Sequence, residues 1–198
     1  MNDNDRTIKY YQENAEIFIA GTVNADMGEA RHRFLNYLPK NARILDFGCG
    51  SGRDAKDFLR DGYNVDAVDG SEELCLKASK YIGIPVKHML FQDLNVKELY
   101  NGIWACASIL HLKKSELSET LLKIAVALKP GGILYTSFKY GLFEGMRNGR
   151  HFTDFTENSL EEFWKDVPYL YILEKWITQD ARPDREGERW INLLARRV

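Results

Sequence analysis

The sequence predicts a single α/β domain: a three-layer α/β/α sandwich around a mostly parallel seven-stranded sheet that ends in an antiparallel C-terminal hairpin. Three observations carry that expectation. Short apolar runs alternate with segments of helical periodicity through the middle of the chain, and three glycines at alternate positions join the first run to the helix after it. Near the C-terminus, two apolar runs flank a connector too short for a helical crossover, so that pair should be antiparallel. With 198 residues, 44% hydrophobic and 28% charged, the chain has the size and composition of one soluble domain with a substantial core.

Taken in order, "TIKYYQENAEIFIAGT" and "MGEARHRFLNYLP" read as two helices that form a lid over residues 1–40. The run "ARILDF" is a buried parallel strand, and "SGRDAKDFLRDGY" is a helix stopped by Gly62. "NVDAVD" is a second strand, and the helix "SEELCLKASKYIG" is opened by Ser71 and closed by Gly83. "PVKHMLFQ" and "GIWACASIL" are the third and fourth strands. "KSELSETLLKIAVALKPGG" is a helix with Ser115 as its cap and Pro-Gly-Gly as its stop, and "ILYTSFK" is the fifth strand, which completes a core over 41–138. Residues 139–198 then hold a glycine-bearing polar loop, "YGLFEGMRNGRHFTDF", a helix capped by Thr156 or Asn158, and the final strand pair "YLYILEKWIT" and "RWINLLARRV".

A formal charge of -2 gives no overall basic field for a nucleic-acid backbone. The first residues lack a secretory pattern, and no apolar run approaches the ~20 residues that span a bilayer. The reading is therefore a cytoplasmic protein, monomer or homodimer, with neither nucleic acid nor membrane as partner. Cys49, Cys75 and Cys106 are far apart, lack metal or redox spacing and are expected to be buried free thiols; no metal site is expected.

The chemistry is concentrated in "ILDFGCGSGRD". Gly48, Gly50 and Gly52 form G-x-G-x-G between a strand and a helix, a loop that lets backbone approach a ligand closely. A pyrophosphate would be repelled by Asp46 just upstream; a ligand with a cationic end would be accepted. Asp69, at the end of the second strand, is placed to take two ribose hydroxyls, or to cap the next helix. Asp93, after the third strand, is placed to accept from an adenine amino group with Phe91 or Leu94 against the ring, or to serve a turn. Three acids after three successive strands favour adenosine bound without phosphates.

On "LDFGCGSG", "VDAVDGS", "FQDL" and "LKPGGILYTSF", the chain resembles the class I S-adenosylmethionine-dependent methyltransferases, whose fold is Rossmann-like. "GCGSGRDAKDFLRDGYNVDAVDGS" and "GIWACASILHL" further resemble the small-molecule branch related to tellurite-resistance methyltransferases. The resemblance implies that S-adenosylmethionine is the cofactor and S-adenosylhomocysteine the product. It implies that Gly48, Gly50 and Gly52 face the methionine and ribose, Asp69 with Gly70 and Ser71 the ribose, Asp93 and Leu94 the adenine, and Ser108 the methyl group. It makes Tyr11 and Arg53 candidate partners for the methionine carboxylate.

On the acceptor side, His111 is the candidate base. Clustered cations, Lys139, Arg147 and Arg150 after the fifth strand and Arg182 and Arg185 in the last connector, suit a small anionic acceptor. Two other functions fit parts of the pattern: a nicotinamide-dependent reductase, opposed by the glycine spacing, and a non-catalytic S-adenosylmethionine-binding protein.

Overall fold

The computed structural model describes residues 2–182, 185 and 187–198. Three helices come first, α1 (Asp3–Glu13), α2 (Ala15–Thr22) and α3 (Gly28–Leu35). Two had been expected. The continuous helical pattern of "TIKYYQENAEIFIAGT" is broken at Asn14, whose side-chain amide donates to the Tyr10 carbonyl at 2.8 Å and ends α1 there.

The core then alternates β1 (Arg43–Phe47), α4 (Arg53–Arg60), β2 (Asn64–Asp69), α5 (Glu72–Ile82), β3 (Val86–His88), β4 (Tyr100–Ala105), α6 (Lys114–Ala127) and β5 (Leu128–Lys139). A small hairpin, β6 (Glu144–Arg147) with β7 (Arg150–Thr153), precedes α7 (Glu157–Trp164), β8 (Leu170–Gln179) and β9 (Arg189–Arg197). The seven-stranded sheet has the order β3-β2-β1-β4-β5-β9-β8, parallel from β3 through β5, with β9 antiparallel to both β5 and β8. The expected architecture and C-terminal hairpin are therefore observed.

Strand order reverses beside β1, because the chain winds outward to β2 and β3 and then returns to β4 on the other side. A crevice opens at the carboxyl ends of β1 and β4, where such sheets bind ligands. The sheet presents alternate side chains to two cores. On one face, Leu45, Phe47, Ile103 and Leu134 pack with Leu117 and Leu121 of α6 and Leu160 of α7. On the other, Ile44, Trp104 and Tyr135 pack against Phe34 of α3 and Phe58 of α4. The Trp104 and Tyr135 rings are stacked at 3.9 Å.

Other boundaries differ from the sequence reading. Helix α6 is capped by Lys113 and Glu116, whose carboxylate accepts the Lys113 amide at 3.2 Å, and Ser115 lies inside the first turn. Pro-Gly-Gly is a bulge in β5: Leu128 pairs with Tyr100 and Ile133 with Gly102, with Gly131 at φ +77° between them. Strand β3 is only three residues long, because the chain leaves the sheet after His88. The polar loop after β5 contains a hairpin, turned by Asn148 and Gly149, both at positive φ. Asn-Gly is the pair that such a two-residue turn demands. Thr156 is the cap of α7, with its hydroxyl accepting from Ser159. All three cysteines are free; Cys106 is half-buried rather than fully buried. No helix among the described residues is long and apolar enough to cross a membrane.

Candidate active site

A cleft of about 800 Å³ occupies the crevice and runs from the glycine loop to the β6–β7 hairpin and the β8–β9 connector. The loop is bolted to β2 by the Gly48 and Cys49 amides, which both donate to the Val68 carbonyl at 3.0 and 2.9 Å. Gly48 at φ +83° and Gly50 at φ +54° line the cleft. A Cβ on Gly48 would lie 2.6 Å from Ser108 Cβ, and one on Gly50 2.9 Å from the Phe18 ring. Gly52, at φ +78°, lies behind them against Ile82 and Ala78, so its smallness serves the packing of α4 on α5 rather than the cleft.

Two acids stand under this loop. Asp46 is buried and accepts from the Ala55 amide at 3.1 Å; burial, and next the Asp54 carboxylate, push it well above the usual carboxylate range. Asp69 accepts from the Gly50 amide and the Ser71 amide, each at 2.9 Å. Burial raises Asp69 as well, and those amides pull it back. Each oxygen retains a lone pair, so the carboxylate has capacity left for two hydroxyl donors. Gly70 and Ser71 line the same end. The Ser71 hydroxyl donates to Gln12 of α1 at 3.0 Å and so ties the N-terminal helix across the cleft. Ser108 reaches the lining too, its hydroxyl donating to the Phe47 carbonyl at 2.6 Å.

Three expected assignments are corrected here. Asp93 is exposed on the short turn Phe91–Asp93 and Leu94 is buried in the core; neither lines the cleft, because the early end of β3 swings "FQDL" away. Of that segment only Phe91 faces the cleft, its ring edge-on to Phe47 at 4.8 Å. Arg53 does line the cleft, but its guanidinium grips Asp54 at 3.0 and 2.6 Å and donates to the Thr22 carbonyl, so its charge is already matched.

His111 is brought to the cleft at the end of β4, 7% exposed, between Tyr11 and His151. Its Nδ1 lies 2.6 Å from the His151 carbonyl, which can only accept, so Nδ1 carries the proton and Nε2 accepts from the Tyr11 hydroxyl at 2.7 Å. Burial depresses its pKa to about 3. With its lone pair committed and its cation strongly disfavoured, His111 positions Tyr11 and is not the free base the sequence suggested.

The acceptor-side arginines are also corrected. Arg182 chelates Asp180 at 2.8 and 2.5 Å, and Arg185 donates to Glu188 at 3.2 Å. Glu188 also takes Lys139, and Arg147 pairs with Asp154 at 2.7 Å. Sequence reasoning missed Asp154, Asp180 and Glu188 as neutralising partners; the short spacings Asp180 to Arg182 and Arg185 to Glu188 were the available signal. It also missed Phe18, which α2 lays over Gly50, because nothing local marks that contact.

S-adenosylmethionine fits the acidic end of this cleft. Backbone is exposed there at two left-handed glycines, Asp69 has spare acceptor capacity beside them, and mutually repelling buried carboxylates favour a ligand that brings positive charge. Comparison with known proteins gives the same class. Residues 44–132 match the methyltransferase domain family. A putative methyltransferase, YqeM, of Bacillus subtilis is 32% identical over 114 residues, 52% of this chain and 46% of its own length. An uncharacterized methyltransferase of Staphylococcus carnosus is 25% identical over 75% of this chain and 79% of its length. The chain thus spans less than half of the first relative. Among solved structures, the 1,6-didemethyltoxoflavin N1-methyltransferase of Burkholderia thailandensis, crystallised with 1,6-didemethyltoxoflavin and S-adenosylhomocysteine, superimposes with a TM-score of 0.77 at 21% identity. It covers 96% of this chain and 85% of that one. The segment that carries the glycine loop is thus similar to methyltransferase domains.

Proposed function

We propose that this protein transfers a methyl group to a small anionic acceptor, as in the small-molecule branch that includes the tellurite-resistance-related enzymes, in the cytoplasm. The observation that carries the reading is the polarity of the cleft. Asp46, Asp54 and Asp69 line one end, where Asp54 is paired with Arg53 and Arg31. Six basic side chains, Lys139, Arg147, Arg150, Arg182, Arg185 and Arg189, line the other with the three carboxylates Asp154, Asp180 and Glu188. One end suits a cationic cofactor and the other an anion. The Burkholderia enzyme, with its small molecule bound, is a precedent for the acceptor class.

When bound, S-adenosylmethionine supplies an electrophilic methyl group on a sulfonium sulfur. Asp69 would hold the ribose, the Gly48 and Gly50 backbone would give close approach, Phe91 would pack the base, and Ser108 would wall the cavity near the reacting end. Tyr11 and Phe18, on helices that cross the opening, would exclude water. Alignment and dehydration supply most of the acceleration that such a displacement needs, so no dedicated base is required.

Calorimetric titration with S-adenosylhomocysteine tests this reading, with NADH as the competing cofactor. The wild type is expected to bind the former, and Asp69→Ala to weaken it by about 1.5 to 3 kcal/mol, the worth of hydrogen bonds to a charged acceptor. Preferential binding of NADH, or an unchanged dissociation constant in the variant, would refute it. Consumption of S-adenosylmethionine with a panel of small anionic acceptors separates an enzyme from a binding protein that turns nothing over.

A further inference from the structure

Among the cations at the basic end, Arg150 is distinct. Lys139, Arg147, Arg182 and Arg185 each meet a carboxylate, whereas none among the described residues comes within ion-pair distance of Arg150 or Arg189, and of these two Arg189 is exposed while Arg150 is half-buried. Its surroundings are aromatic: the guanidinium carbon lies 4.4 Å from the Tyr10 ring centroid, 5.2 Å from Phe152 and 5.7 Å from Tyr11. Nη1 reaches the Tyr11 hydroxyl at 3.5 Å. Nε is buried without a hydrogen-bond partner, and no hydrogen bond from Nη2 is made to the described residues.

A buried, unsatisfied donor on a charged group is costly unless something else satisfies it. The geometry of the open edge says what that is. Nε–H and one Nη2–H point in parallel from one side of the guanidinium plane, which is the fork that a carboxylate fills with two charge-assisted hydrogen bonds. The plane is also held in place. Arg150 donates to Tyr11, Tyr11 donates to His111 Nε2, and His111 Nδ1–H donates to the His151 carbonyl, one residue beyond Arg150 on β7. The His151 amide in turn donates to Thr7 of α1 at 2.9 Å. The chain of hydrogen bonds therefore closes on the strand that carries the arginine, and pre-orients the fork before a ligand arrives.

We propose that Arg150 is the carboxylate anchor of the acceptor site, and that the acceptor of the proposed methyl transfer, on which this assignment rests, bears a carboxylate. A cofactor also has a carboxylate, at its methionine end. The acceptor is favoured because Arg150 belongs to the basic group converging on the Phe152 ring, 5.2 Å from its centroid, where Arg147 lies 5.1 Å and Lys139 5.8 Å away.

The test is calorimetric titration of benzoate, acetate and the neutral isostere benzamide into protein saturated with S-adenosylhomocysteine. Benzoate or acetate is expected to bind the wild type and to lose about tenfold or more in affinity in Arg150→Gln, with Arg150→Lys intermediate because it keeps charge but not the fork. Benzamide binding and the dissociation constant of S-adenosylhomocysteine should stay within about twofold. Equal carboxylate binding by wild type and Arg150→Gln, or binding of neither carboxylate by the wild type, overturns the proposal. So does weakening of S-adenosylhomocysteine alone, which would place Arg150 on the cofactor. Failure of the wild type to bind S-adenosylhomocysteine refutes the methyl-transfer reading instead, and the same benzoate titration without it still decides the anchor.

Discussion

Alanine at Gly48 is expected to abolish S-adenosylhomocysteine binding and to destabilise the fold by about 2 to 4 kcal/mol, the sum of a left-handed backbone penalty and an overpacked contact. Both contributions are visible at the residue. Its φ of +83° is costly for any residue with a Cβ, and that Cβ would stand 2.6 Å from Ser108 Cβ. Ser108 has no room to retreat, because it is buried and its hydroxyl is fixed to the Phe47 carbonyl at 2.6 Å. The strain would pass to the loop, whose Gly48 and Cys49 amides hold it on β2. A second substitution separates the two contributions: Ser108→Gly removes the clash and leaves the backbone penalty. The pair Gly48→Ala with Ser108→Gly should therefore recover about 1 to 2 kcal/mol in denaturant unfolding. Gly52→Ala offers a contrast, since its Cβ would meet the flexible end of Ile82 behind the loop; it should cost stability while sparing the cofactor affinity. Wild-type affinity in Gly48→Ala, or no recovery in the pair, would show that the loop tolerates a side chain there.

What the sequence disclosed follows the range of the interactions involved. The Gly48 to Gly52 loop, the Ser71 cap and the Gly83 stop are local events, each written in residues that sit next to one another, and all are found where the residue types demand them. The antiparallel final pair was legible from connector length alone. Asp93 was misplaced because "PVKHMLFQ" has strand composition throughout, while pairing with β2 ends at His88; the end of a strand is set by its neighbour. The arginines were misjudged for a related reason. Their charge is visible in the sequence, whereas their neutralisation by Asp154, Asp180 and Glu188 depends on how the chain turns.

The least legible part of the site is the contact between its two ends in sequence. Tyr11 and His111 are 100 residues apart and neither has a local pattern that points to the other. Only the return of α1 across the crevice, with Gln12 on Ser71 and Thr7 under His151, brings them together. The segment 1–40, read from the sequence as a lid, thus contributes groups to the lining of the cleft.

That buried contact also sets a pH dependence. His111 has a folded pKa of about 3 against an ordinary value of 6.5, so the unfolded chain takes up its proton first as pH falls. A depressed histidine carries no penalty above its unfolded pKa and destabilises the fold progressively from there down to the folded one. The groups facing it reinforce this direction: Arg150 and His151 on β7 and Lys139 on β5 all disfavour a second positive charge, and burial disfavours it most. Asp46 and Asp69 work in the opposite sense, because their folded pKa values are raised and protonation at low pH favours the fold. Comparison with His111→Asn cancels them. Its amide can still donate to the His151 carbonyl and does not titrate. The wild type should lose stability relative to this variant by about 1.4 kcal/mol per pH unit below pH 6.5, or about 2 to 3 kcal/mol by pH 4.5, in denaturant unfolding at matched ionic strength. A difference that stays flat across that range would mean that His111 is charged or solvated in the native state, and the fixed chain from Arg150 through Tyr11 to His111 would not exist as drawn.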